Sequence, residues 1–172
     1  LAAEGMRFTN AYANAPNCAP SRAALMSGQY APRTGVYTVA SAARGDAANR
    51  RLVPVQNRQD LDLGVATLAE SLQGAGYTTG HAGKWHLGGD GSLPTDHGFD
   101  WSVAGNAAGS PPGYFYPYER NGRQIPGLEK GEEGEYLTDR LTDEVIGFME
   151  ENREEAFFLY LAHYAVHTPI QG

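Results

Sequence analysis

The sequence predicts an α/β fold, with a mostly parallel central sheet flanked by helices, and two helix–strand pairs carry that expectation. Residues 156–162 (Ala-Phe-Phe-Leu-Tyr-Leu-Ala) form an unbroken apolar run, the pattern of a strand covered on both faces. Ahead of it Leu137, Leu141, Val145 and Phe148/Met149 recur at helical spacing in a helix starting near Thr138. The same order appears earlier: a helix over 65–73, with Leu68 and Leu72 on one face and Gly74 or Gly76 stopping it, then a buried strand over 77–82. Helix alternating with apolar strand is the mark of a parallel sheet with helical crossovers.

The remaining elements are shorter. Residues 1–5 read as the end of a helix, and 6–13 alternate weakly, as a short strand would. Residues 20–27 suit a short helix, with Pro20 in its first turn and Gly28 just past its end. Residues 38–62 are polar and irregular, a surface loop. Residues 88–135 hold eleven glycines and are loop-rich, with room for a small hairpin around 114–123. The last helix ends in the charged run 150–155. Lys84, His86, His163 and His167 follow the two apolar strands, at the carboxyl ends where open α/β sheets place their ligands.

Composition narrows the chemistry. The 172 residues fit one domain, and thirteen basic against twenty acidic residues give a net charge of −7. That balance argues against nucleic acid or an anionic membrane as the main partner, yet a few cations in one pocket still suit a small anion. The longest apolar run, 156–162, is far short of the roughly 20 residues a membrane span needs. No secretory signal is visible, but the chain opens on Leu1 and so reads as cut, which leaves location undetermined by this absence. The lone cysteine, Cys18, excludes an internal disulfide framework and a multi-cysteine metal site. Most lone cysteines are small buried hydrophobes.

The neighbours of Cys18 change that reading. Cys18-Ala19-Pro20-Ser21-Arg22 opens the first helix, where unpaired N–H groups and the helix dipole favour an anion and make a thiol reactive. Arg22 adds a cation one turn later. The string resembles the Cys-x-Pro-Ser-Arg motif of type I (formylglycine-dependent) sulfatases, within the alkaline-phosphatase-like superfamily. Four fixed residues coincide by chance on the order of a few times per million positions. Residues 23–35 (Ala-Ala-Leu-Met-Ser-Gly-Gln-Tyr-Ala-Pro-Arg-Thr-Gly) resemble the family's LLTGRYPxRTG extension. Residues 76–88 (Gly-Tyr-Thr-Thr-Gly-His-Ala-Gly-Lys-Trp-His-Leu-Gly) are similar to its GYxTxxxGKWHLG block. Lys84 and His86 alternate there at strand spacing, which would face them the same way. Residues 157–169 resemble the FFLYLSxxxxHxP strand and turn, with His167 on the motif histidine. Asp96-His97-Gly98-Phe99-Asp100 resembles a further family loop, read as structural.

The resemblance spans essentially the whole chain and implies a sulfuric ester hydrolase. It implies that Cys18 is oxidised to formylglycine by a formylglycine-generating enzyme, and that one hydroxyl of the hydrated aldehyde attacks sulfur while the other later expels sulfate. It implies that Lys84 and His167 bind sulfate and assist the leaving group, that Arg22 steadies the hydrate, and that His86 is the base, titrating near the working pH. It also implies calcium, with Cys18 as formylglycine the only ligand in these residues, because the family's acidic ligands and later lysine have no match. The chain would then be part of the N-terminal catalytic domain, lacking the first strand and the C-terminal part, and have little turnover alone. The implied substrate is a sulfated small molecule or carbohydrate, and the implied location periplasmic or secreted. His81, His97 and His163 have no matching role and read as packing residues. The aromatic stretch 114–118 reads equally as a sugar-stacking surface or a loop packing its own rings. Two alternatives stand beside the sulfatase: a phosphate or phosphonate ester hydrolase of the same superfamily, which the Gly-Lys-Trp-His block disfavours, and a sulfate-ligand-binding fragment without catalysis.

Overall fold

The computed structural model describes residues 2–171. In chain order the main elements are α1 (Cys18–Ser27), α2 (Ala31–Thr34), α3 (Leu68–Gly74), β1 (Thr78–Gly83), β2 (Trp101–Val103), β3 (Glu119–Arg120), β4 (Arg123–Gln124), α4 (Leu137–Glu151) and β5 (Phe157–Ala162). β1 lies at the centre of a three-stranded parallel sheet, between β2 and β5. Its register with β5 runs from Thr78 opposite Phe157 to Gly83 opposite Ala162, so both strands end side by side. The antiparallel pair β3–β4 is the small hairpin expected in the loop-rich stretch, turning through Asn121 and Gly122.

Alternation along the strands divides the core in two. Ala82, Leu159 and Leu161 face one side, where Leu137, Leu141 and Val145 of α4 cover them. Phe158 and Tyr160 face the other, against Ala19, Ala23 and Met26 of α1, Ala69 of α3, and the loop residues Trp85, Leu87 and Phe99. A Cβ on Gly80 would stand 2.8 Å from two ring atoms of Phe148, so this glycine lets α4 lie directly on the sheet. α3 begins at a capping box in which Thr67 and Glu70 each bond the other's backbone N–H. The Thr67 hydroxyl donates onward to the carbonyl of His97 at 2.8 Å.

Several expectations need correction. Residues 6–13 form no strand: Met6, Phe8 and Tyr12 are 81%, 72% and 89% exposed, and alternation makes a strand only where a neighbour completes the ladder. Residues 2–4 form a turn rather than a helix. The first helix starts at Cys18, two residues earlier than Pro20 suggested. On α3 the buried residue is Ala69, while Leu68 is 40% exposed. β5 is only half-buried along most of its length because it is the outer strand of the described sheet. β2, three residues long, had no sequence signal of its own.

Candidate active site

The sheet delivers the motif residues to one rim. Lys84 follows β1 and its backbone N–H donates to the carbonyl of Ala162, the last residue of β5, at 2.8 Å. The loop after β1 and the loop after β5 therefore leave the sheet together, and α1 is fastened to that point by Arg22. Its Nε donates to the Trp85 carbonyl at 2.5 Å, its Nη2 to the Lys84 carbonyl, and its guanidinium lies 5.5 Å from the centre of the Tyr160 ring. Arg22 is thus a strut as well as a charge. The sequence placed Tyr160 in the apolar strand and its motif, but not against Arg22.

Cys18 is the first residue of α1, half-buried and unpaired as a thiol. Asn17, a residue type that usually caps a helix, makes no cap here. Its Nδ2 donates to the Thr38 hydroxyl at 3.2 Å, and its buried Oδ1 has no partner among the described residues. Pro20 has no N–H and the Ser21 N–H donates to the Asn17 carbonyl at 3.4 Å, so among the described residues the helical donors left open at this end are those of Cys18 and Ala19.

The charges are uncompensated. Lys84 is only 6% exposed, and Arg22 is half-buried, yet among the described residues no carboxylate pairs with either. Burial pushes the Lys84 amine below its ordinary value; the Cys18 side chain beside it opposes this and Arg22 adds to it. Burial likewise lowers Arg22, with Tyr160 acting against it. A desolvated cation without a counter-charge is costly, so two of them at an open helix N-terminus define a place for an anion.

His86 differs from its expected behaviour. Burial, then the charges of Lys84, Arg22 and His167, pull it down to about 4, so it is neutral across the physiological range rather than half-titrated. It also sits in the left-handed region (φ 59°), outside β1, so strand alternation does not set its direction. Its N–H donates to the Asn106 carbonyl at 2.9 Å, its ring lies against Gly109, and its buried Nδ1 has no partner among the described residues. Adding an anion to the cations should reverse part of the shift. We expect saturating inorganic sulfate to move the His86 titration up by about one pH unit, measured by NMR of the ring protons. An unmoved titration would mean that sulfate does not bind among these groups.

His167 is exposed, in the loop after β5. Its Nδ1 lies 2.9 Å from the Thr168 carbonyl, which leaves Nε2 for a ligand, and its own carbonyl accepts from the Tyr114 hydroxyl at 2.9 Å. Tyr114 and Tyr118 are 3% and 0% exposed, so most of the aromatic stretch packs inward. His81 is enclosed by Trp85, Phe99 and Tyr160 and pushed by burial to about 3, while His97 is buried against the Ser92 hydroxyl at 2.9 Å. Both are packing residues. His163 is half-buried, its Nδ1 unpaired among the described residues.

The sulfatase family model matches residues 1–171. The chain belongs to the sulfatase family. It is 32% identical over 99% of its length to an arylsulfatase of Hemicentrotus pulcherrimus and 36% identical over 99% to an N-acetylgalactosamine-6-sulfatase of Sus scrofa. It covers 32% and 34% of those proteins, so this sulfatase chain spans about a third of the length of the curated relatives it matches. Among solved structures, Ps i-CgsB bound to a neocarrahexaose superposes with a TM-score of 0.64 and 28% identity, over 94% of this chain and 37% of that one. A protein bound to its substrate D-glucosamine-2-N,6-O-disulfate gives a TM-score of 0.62 and 29% identity, over 96% of this chain and 28% of that one. The fold is that of the sulfatases, and the phosphate-ester alternative gains no support from these relatives.

The family implies calcium, which takes six to eight oxygen ligands. Among the described residues no three His, Cys, Asp or Glu side chains gather to hold a metal, and the groups around Cys18 are cations. These residues do not fit a calcium site, and nothing below depends on one.

Proposed function

We propose that this chain is the sulfate-binding part of a larger sulfatase catalytic domain, hydrolysing a sulfate monoester of a carbohydrate through a formylglycine made from Cys18. One observation carries the reading: Lys84 is buried and Arg22 half-buried, without carboxylate partners among the described residues, at the uncapped end of α1 that begins with Cys18. The oxidised Cys18, as its hydrate, would supply the nucleophilic oxygen. The residues around it divide the remaining work. Lys84 and the Nε2 edge of His167 hold the sulfate and meet the charge that grows on the departing alcohol oxygen. Arg22 fixes the loop carrying Lys84 and lends its charge to the same place. Neutral His86 is free to accept the proton released when sulfate is expelled, and the incoming anion strengthens it as a base. The carbohydrate is favoured because two structural neighbours are complexes with sugars. An exported location, periplasmic or secreted, belongs to the same reading; no helix among the described residues is long and apolar enough to cross a membrane.

Mass spectrometry of the peptide containing Cys18, from protein made together with a formylglycine-generating enzyme, tests the nucleophile. The expected change is a loss of about 18 Da. An intact thiol, with the modifying enzyme active on a control peptide, would remove the proposed chemistry.

A further inference from the structure

Charge is unevenly distributed along the chain. Residues 1–59 carry seven arginines against two carboxylates, whereas residues 60–172 carry six cations against eighteen carboxylates. The segment between α2 and α3 holds four of these arginines against three aspartates, and among the described residues its one regular element is a 3-10 turn at Ala47–Asn49. Irregular segments of more than about 12–15 residues are usually either functional or linkers, and the hydrogen bonds that hold this one argue against a linker. Arg58 is committed within this segment, paired with Asp62 at 2.7 Å. Arg44 and Arg50 are exposed, and among the described residues neither has a carboxylate partner.

Backbone carbonyls hold these two guanidiniums in place instead. Arg44 donates to the Val39 carbonyl at 3.0 Å, and Arg50 donates to the carbonyls of Arg44 at 3.1 Å and Gly45 at 2.7 Å. Each retains N–H donors, already oriented, for a ligand. The loop beneath them is fixed by Asn57, whose Oδ1 accepts from the N–H groups of Tyr37 and Thr38 and whose Nδ2 donates to the carbonyls of Thr38 and Ala40. Thr38 in turn accepts from Asn17, the residue before Cys18. Arg44 therefore touches the residue next to the one that anchors the start of α1. Beside it, residues 40–43 and 54–57 line an open cavity of about 330 Å³, within the rough range of 300–1,000 Å³ that small ligands occupy.

We propose that Arg44 and Arg50 recognise a second anionic group on the substrate, so that the preferred ligand is a saccharide sulfated at more than one position. This rests on the sulfate-binding reading above and deepens it. A planar guanidinium offers paired donors that match two oxygens of a sulfate, and a mobile surface lysine would not be held this way. The site is exposed, so its contribution falls as salt rises.

Calorimetric titration at low ionic strength with D-glucosamine-6-O-sulfate and D-glucosamine-2-N,6-O-disulfate tests the proposal, with inorganic sulfate as a separate probe of the Lys84 site. The disulfated sugar should bind about tenfold more tightly than the monosulfated one, a preference of ordinary size for charged hydrogen bonds. R44Q/R50Q should abolish the preference while monosulfate affinity stays, and R44K/R50K should retain part of it. Equal affinities in the unaltered chain, or a preference surviving R44Q/R50Q, would overturn the assignment. Loss of both affinities in both double variants would make the arginines structural and overturn it too. If inorganic sulfate itself does not bind, the underlying reading fails and this one falls with it.

Discussion

The R22K variant is expected to lose on the order of 3 kcal/mol of stability and at least about tenfold in sulfate affinity, although its charge is unchanged. Two successive carbonyls, of Lys84 and Trp85, accept from two different nitrogens of the Arg22 guanidinium. A lysine amine reaches one of them at best. The other is left unpaired in a half-buried place, at a cost of about 1–3 kcal/mol, and the stacking on Tyr160 is lost as well. Because these carbonyls belong to Lys84, the proposed sulfate ligand, and to its neighbour Trp85, loosening them also unsettles the Lys84 amine. Urea denaturation and sulfate calorimetry on the same preparation read both effects. A variant with unchanged midpoint and affinity would show that Arg22 acts here only as a charge.

The second large effect is expected from G109A. Gly109 lies outside the left-handed region that favours glycine, so the obstacle to alanine is space. Its Cβ would instead collide with Cε1 of His86 and stand 2.7 Å from Nε2 and 2.8 Å from Nδ1 of the same ring. The ring must leave its place. Burial is the main reason His86 sits at about 4, so a displaced ring should titrate near the ordinary histidine value of 6.5. In a full-length sulfatase carrying the same change, turnover should drop about 100-fold, the lower end of what a positioned base supplies. NMR titration of His86 decides the structural half of the expectation, and a value still near 4 would show that the 105–113 loop yields instead.

The parts of this site that sequence revealed are those encoded by neighbours in the chain. Cys18 and Arg22 are one helical turn apart, and Lys84 and His86 belong to one glycine-framed block; local order alone places them after a strand or at a helix start. The supporting contacts are of another kind. Tyr160 under Arg22, Gly109 against His86 and Asn17 tied to Thr38 each join segments brought together only by folding, and none has a periodicity or composition to announce it. The same limit explains the strand expected at 6–13. Alternation states which face of a strand would be buried, but whether a strand exists depends on a neighbour elsewhere in the sheet. It explains β5 also, whose apolar run gives its appetite for cover but not its position at the outside of the described strands.

The diverted side chain of Asn17 has a consequence for engineering. Local preference and the proposed site conflict here: the helix would gain by being capped, and the proposed anion site needs it uncapped. Such frustration is invisible to any selection that rewards survival on heating. Substitutions that release Asn17 from Thr38, or that place a better cap at this position, would be enriched in a thermostability screen, and the new cap would take the Ala19 N–H, since Pro20 offers none. Hardened versions of this protein should therefore be counter-screened for anion binding, since here resilience and the proposed recognition compete for the same N–H group.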